Sequence, residues 1–173
     1  MRFWLALLLV WWLPTSALAV GQGEASLSGG LGLAVAFQGQ TRAGAQADAR
    51  LLRGISDSWA ARLGLQTAWY PADGATPPAH VTAQSLGLTW AADVVNLVPF
   101  ADLGIVVADI RGGGMAPSWR LGGQLGIGAD YLVTRHFTMS LLARVDYFAL
   151  HLAGGRDAHP TQVSLALHLG RAF

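Results

Sequence analysis

Eight ionisable residues share one local setting, a polar side chain with an apolar neighbour on either side: Arg62, Asp93, Asp102, Arg120, Asp130, Arg144, Asp146 and His168. Three arginines face four aspartates, so the set is close to charge balance. Buried charges persist when paired, because removing one partner costs roughly 3–5 kcal/mol. The chemistry open to such a set is an ion-pair network or, if water reaches it, opposed Arg and Asp rings that select ions. A second kind of chemistry needs a base and a hydroxyl side by side. His80-Val81-Thr82 and His136-Phe137-Thr138 each place a histidine two residues from a threonine, on one side of an extended chain. Glu24 is the single glutamate, and Gly112-Gly113-Gly114 is followed by no Lys-Ser/Thr pair, so a phosphate-binding loop is excluded. Catalysis is therefore not expected, and no cofactor or metal is implied.

These residues are positioned by a run of alternating segments. Leu27, Gly29, Leu31, Leu33, Val35 and Phe37 oppose Ser26, Ser28, Gly30, Gly32, Ala34 and Ala36, giving a first strand. Residues 38–48 are small and polar and read as a loop, and 49–55 as a short second strand turned by Ser56-Asp57-Ser58. Trp59 to Trp69 is a clear third strand, and 71–79, with three prolines and Gly74, a longer loop. Further strands follow at 81–95, 98–110, 119–131 and 137–147, with turns near Asn96 and at Thr134-Arg135-His136 and loops at 111–118 and 151–160. Gln162 to Phe173 closes the count at eight, with Val163, Leu165, Leu167 and Leu169 on one face. Every proline after Pro14 falls in a loop or at a strand end, where its missing N–H costs no ladder bond.

The N-terminus has the plan of a cleavable export signal. Met1-Arg2 is the basic start, Phe3 to Leu13 an apolar run, and Ala17-Leu18-Ala19 a small-x-small cleavage site. About 20 apolar residues are needed for a helix to cross a bilayer, and this run is shorter. The domain expectation is a signal peptide over 1–19 and one barrel domain over 20–173. Charged residues make up 12% of the chain and hydrophobic ones 53%, against about 25% charged in ordinary soluble domains. With no later run long enough for a helical span, the remaining way to cross lipid is a closed barrel. The net charge of +1 gives no reason to expect nucleic acid, and the absence of cysteine excludes disulfides and thiolate metal sites.

Alternation leaves two orientations open. A soluble ligand-binding barrel also alternates, with its apolar face inward and a charged face in water. Here the second face is mostly Gly, Ala, Ser, Thr and Gln, which suits the narrow, side-chain-filled lumen of an eight-stranded barrel. The aromatics gather at two levels: Trp59, Trp90, Phe100, Tyr131 and Phe137 toward the turns, and Phe37, Trp69, Tyr70, Trp119 and Tyr147 toward the loops. Two interfacial girdles account for that, with the apolar face toward lipid.

The last strand ends on Phe173 and so resembles the closing strand of the small bacterial outer-membrane β-barrel proteins, the OmpA-transmembrane-domain and OmpX type. The resemblance extends over nearly all of 24–173. It implies an all-β, eight-stranded, antiparallel up-and-down transmembrane barrel in the outer membrane. It also implies that Phe173 belongs to the signal read by the barrel-assembly machinery, with periplasmic chaperones, outer-membrane lipid and lipopolysaccharide as partners and a monomeric state. By strand direction Arg62, Asp93, Asp102, Asp130 and His168 lie nearer the periplasm, and Arg120, Arg144 and Asp146 nearer the outside. Two ion-pair layers that plug the lumen are the expectation, with a non-enzymatic role, structural or exerted through the extracellular loops. A narrow ion channel and a lipid A-modifying enzyme are the alternatives.

Overall fold

The computed structural model describes residues 22–38, 40–92, 96–134, 136–153 and 160–173. The export signal expected over 1–19 and Asp93 lie outside the described residues. Eight strands run in order: β1 Ala25–Gln38, β2 Gln40–Gly54, β3 Trp59–Tyr70, β4 Ala79–Ala91, β5 Leu97–Gly112, β6 Met115–Thr134, β7 Phe137–Ala153 and β8 Thr161–Ala172. Each pairs antiparallel with the next, and β8 returns to β1, so the sheet is a closed barrel. At the seam Ser26 stands opposite Ala172 and Phe37 opposite Thr161. The Phe173 N–H donates to the Ala25 carbonyl at 2.8 Å, extending the seam beyond β8.

Alternation sorts the side chains as the pleat requires. Leu31, Leu63, Leu103, Ile127, Leu141 and Leu167 are among the exposed apolar residues of the outer wall, Leu31 at 71%. Trp59 pairs with Trp90 at one end of the β3–β4 ladder, and Trp69 with His80 at the other. The ten positions from Trp59 to Trp69, at about 3.3 Å each along a strand tilted by about 40°, set these levels roughly 25 Å apart. That is the height of an outer-membrane apolar band.

Four expectations need correction. Residues 40–48 belong to β2, paired residue by residue with β1 from Thr41–Phe37 to Arg53–Ala25. The outward positions there are Ala43, Ala45, Ala47 and Ala49, too small to register as an apolar stripe. Phe100 and Tyr70 point into the lumen and belong to neither girdle. β6 starts already at Met115, because Gly112, Gly113 and Gly114 all take positive φ and make a tight turn of what was expected to be a longer loop. β7 runs on to Ala153, with a register shift opposite Leu121–Gly123 that lets Phe148 face inward while Tyr147 and Leu150 face outward.

Candidate functional site

The lumen is layered. At its middle lie most of the charged and amide side chains, and on either side of them mainly apolar ones. Toward the periplasmic turns Leu52, Val98, Phe100 and Leu142 are buried. Toward the loops a buried cluster contains Tyr70, Val81, Val106, Ile110 and Phe148.

The first charged cluster centres on Asp102 of β5. Its carboxylate lies 3.6 Å from the Arg50 guanidinium and 3.8 Å from that of Arg62, and accepts a 2.6 Å hydrogen bond from the Thr89 hydroxyl. Arg62 also donates to Ser85 at 3.1 Å and is fully buried. Arg62 pairs in register with Gly87, and Gly87 with Gly104, so its side chain lies across two strands that present no side chain there. A Cβ at Gly104 would stand 2.8 Å from the Arg62 guanidinium. Arg50 completes the cluster by stacking over Phe100, 4.7 Å from the ring centre.

Asp48 of β2 organises the second cluster. It meets Arg144 at 3.2 Å and His168 at 3.1 Å. Arg144 reaches Asp146 at 3.7 Å, and Asp146 accepts a 2.6 Å hydrogen bond from its cross-strand neighbour Gln124. Gln66 donates to Gln46, and Gln46 to Asp48, extending the cluster onto β3. Gly30 lies between Asp48 and His168 in register, and a Cβ there would come within 2.7 Å of the Asp48 carboxylate and 2.8 Å of the His168 ring. The absence of a side chain at Gly30 is what lets the pair meet over β1.

Of the residues singled out in the sequence, Arg62 with Asp102, and Arg144 with Asp146, are thus brought together. His168 joins the cluster of Arg144 and not that of Arg62, because its partner Asp48 sits across Gly30. Arg120 is buried near the loop end, 3.5 Å from Ser118. Asp130, half-buried, faces Ser140 in register and lines a cavity of about 20 Å³ with Thr89 and Phe100, room for about one water. Asp48 is not among the residues singled out in the sequence because 38–48 reads as a loop, and Arg50 because the short segment 49–55 alternates too poorly to assign its faces. The signal was present in Gln46, Asp48, Arg50 and Leu52, which recur at period two.

The girdle residues Trp59, Trp69, Trp90, Trp119, Tyr131 and Tyr147 are all exposed on the outer wall. Arg171 stacks over Phe173, 5.4 Å from its ring centre. His80 meets Thr67 of β3, with 2.7 Å between Nε2 and the hydroxyl oxygen, and stacks on Trp69. In the other pair, His136 with Thr138, the His136 backbone N–H donates instead to the Thr134 hydroxyl at the turn before β7.

No protein-family model and no curated protein matches the chain. Solved structures do. Neisserial surface protein A superposes with a TM-score of 0.73 at 14% identity, covering 88% of this chain and 100% of that one. Ail, the attachment invasion locus protein of Yersinia pestis, gives 0.60 at 11% identity over 88% and 99%. The outer membrane enzyme PagL gives 0.58 at 16% identity over 83% and 97%. The fold is that of small outer-membrane β-barrels, crossing the membrane with strands. At these identities the likeness is one of fold, and the same fold carries proteins with and without catalytic activity.

Proposed function

We propose that the protein is a non-catalytic component of the bacterial outer membrane with a closed lumen, acting through its outer wall and extracellular loops. Residues 1–19 direct export and are removed after Ala19. Phe173 and the strand before it are read by the barrel-assembly machinery after periplasmic chaperones deliver the chain. The observation that carries the reading is the packing of the lumen, where Arg62, Asp146 and His168 have no exposed surface and mainly apolar layers, which also hold Arg120 toward the loops and Asp130 toward the turns, flank the charged middle. Paired charges in a tightly packed lumen favour a plug over a path, since their side chains fill the space that a permeating solute would need. Liposomes holding the refolded mature chain are expected to swell in small sugars no faster than empty ones. Swelling at the rate of a general porin would overturn the closed lumen.

A narrow ion path is the second reading, favoured by the arginine and aspartate side chains that meet on opposite walls of the lumen. Planar-bilayer recording separates the two. A steady conductance that disappears in Asp102→Asn selects the path, and a silent bilayer selects the plug.

A further inference from the structure

The outer wall has two different halves. Around β6, β7, β8 and β1 it carries Leu125, Ile127, Leu141, Val145, Leu165, Leu167, Leu31 and Leu33. Near the loops on β3, β4 and β5 the same outward positions carry Thr67, His80, Thr82, Gln84, Asp109 and Arg111, in phase with Leu63, Leu86 and Ile105 lower down. Register brings the polar residues into one patch: Thr67 opposite Thr82, Thr82 opposite Asp109, and His80 opposite Arg111. His80 is the cross-strand partner of the girdle residue Trp69, so the patch begins at headgroup level and dips into the apolar band by two residues at Thr82 and four at Gln84. Polar side chains on a lipid-facing wall are retained at a cost that grows with depth.

The patch is also ordered. The His80 ring is fixed on one side by Thr67, through Nε2, and on the other by Trp69, so Nδ1 is the ring nitrogen not used in the contact with Thr67. Nε and Nη2 of Arg111 both reach one oxygen of Asp109, at 2.8 and 2.6 Å, on a side chain 64% exposed, so Nη1 is the guanidinium nitrogen outside that contact. Asp109 sits deeper and Arg111 nearer the rim, so the pair turns its positive end toward the headgroups. Beside it lies a groove of about 800 Å³ lined by Leu33, Ala43, Ala45, Trp69, His80 and Arg111. The alanines of β2 make its floor low between Leu33 and Trp69. Pro71 and Pro78 form its upper lip, and Arg42 pins that loop by donating to the Pro71 carbonyl at 2.6 Å and the Pro77 carbonyl at 2.9 Å.

We propose that this part of the wall seats one phosphorylated lipid of the outer leaflet, its phosphate against Arg111 and His80 and an acyl chain in the groove over Ala43 and Ala45. Positive donors at headgroup depth beside an apolar groove match the two ends of such a lipid, and donors already held in place bind with less ordering cost. The site rests on the reading of this wall as lipid-facing and goes beyond it by naming the ligand.

The test is native mass spectrometry of the full mature barrel in detergent, titrated with bisphosphorylated lipid A. One lipid per barrel is expected, with affinity about tenfold weaker for dephosphorylated lipid A and for the double variant Arg111→Ala, His80→Ala. Ala45→Leu fills the groove with a side chain lipid tolerates and is expected to weaken binding by a similar factor. Equal binding by wild type and both variants overturns the site. So does equal binding of the dephosphorylated lipid, displacement by inorganic phosphate at equal concentration, or a protein dimer in place of the lipid complex. Heat-modifiable gel mobility, measured on each variant, separates a lost site from a lost fold. A wild-type chain soluble without detergent would refute the lipid-facing wall itself, whereas a heat-modifiable barrel that binds no lipid refutes only the site.

Discussion

Asp48 has partners on two other strands, Arg144 and His168, and receives a hydrogen bond from Gln46 on its own. Asp48→Ala leaves Arg144 short of an anion in the lumen, and a loss of about 3–5 kcal/mol is expected. The check is the denaturant midpoint of the barrel refolded in lipid vesicles, with Asp48→Asn retaining part of the stability through hydrogen bonds. Gly30 makes a sharper test of the same pair, because the added methyl of Gly30→Ala collides with both partners. That variant is expected to lose about 1–3 kcal/mol. Gly123→Ala, where a Cβ meets nothing within 4 Å, should leave the midpoint unchanged. Equal midpoints for the two glycine variants would contradict the close approach over β1.

Among the elements, β2 separates what the sequence discloses from what it conceals. β3, β6 and β8 were legible because Leu, Ile and Trp at alternate positions mark a lipid face directly. β2 has the same period, but its outward positions from 43 to 49 are alanines, and alanine is equally at home in loops. Reading only 49–55 of that strand hid Asp48 and left the facing of Arg50 undecided, so the lumen was read with four aspartates and three arginines and without the residue that joins its second cluster. Phe100 and Tyr70 were misplaced for a related reason: an aromatic at a strand end suits a girdle and a lumen plug equally, and only its phase against neighbours decides. Single cysteines provide the check on β2. At Ala43, Ala45 and Ala47 they are expected to react with a membrane-soluble maleimide in the folded barrel, and at Gln46 and Asp48 to be protected. Uniform reactivity from 41 to 48 would restore the loop.

For the whole molecule, the outer wall sets where charge is tolerated. Leu31→Arg, at the middle of β1, is expected to cost about 2–4 kcal/mol in vesicles, and Thr82→Arg, near the outer rim, about 0–1. Export is checked by N-terminal sequencing of the mature chain, expected to start at Val20. The lumen clusters carry one more consequence, which concerns the order of events in building the molecule. Arg144 and Asp48 are 96 positions apart, on β7 and β2, which β8 and β1 bring near each other once the β1–β8 seam has closed. An isolated β1–β2 hairpin shows lipid an uncovered Asp48 and Arg50, and an isolated β6–β7 hairpin Arg144 and Asp146. Neither can settle in the bilayer alone without the cost of bare charge. The eight strands are therefore expected to enter together, and a chain stopped halfway to stay outside the bilayer.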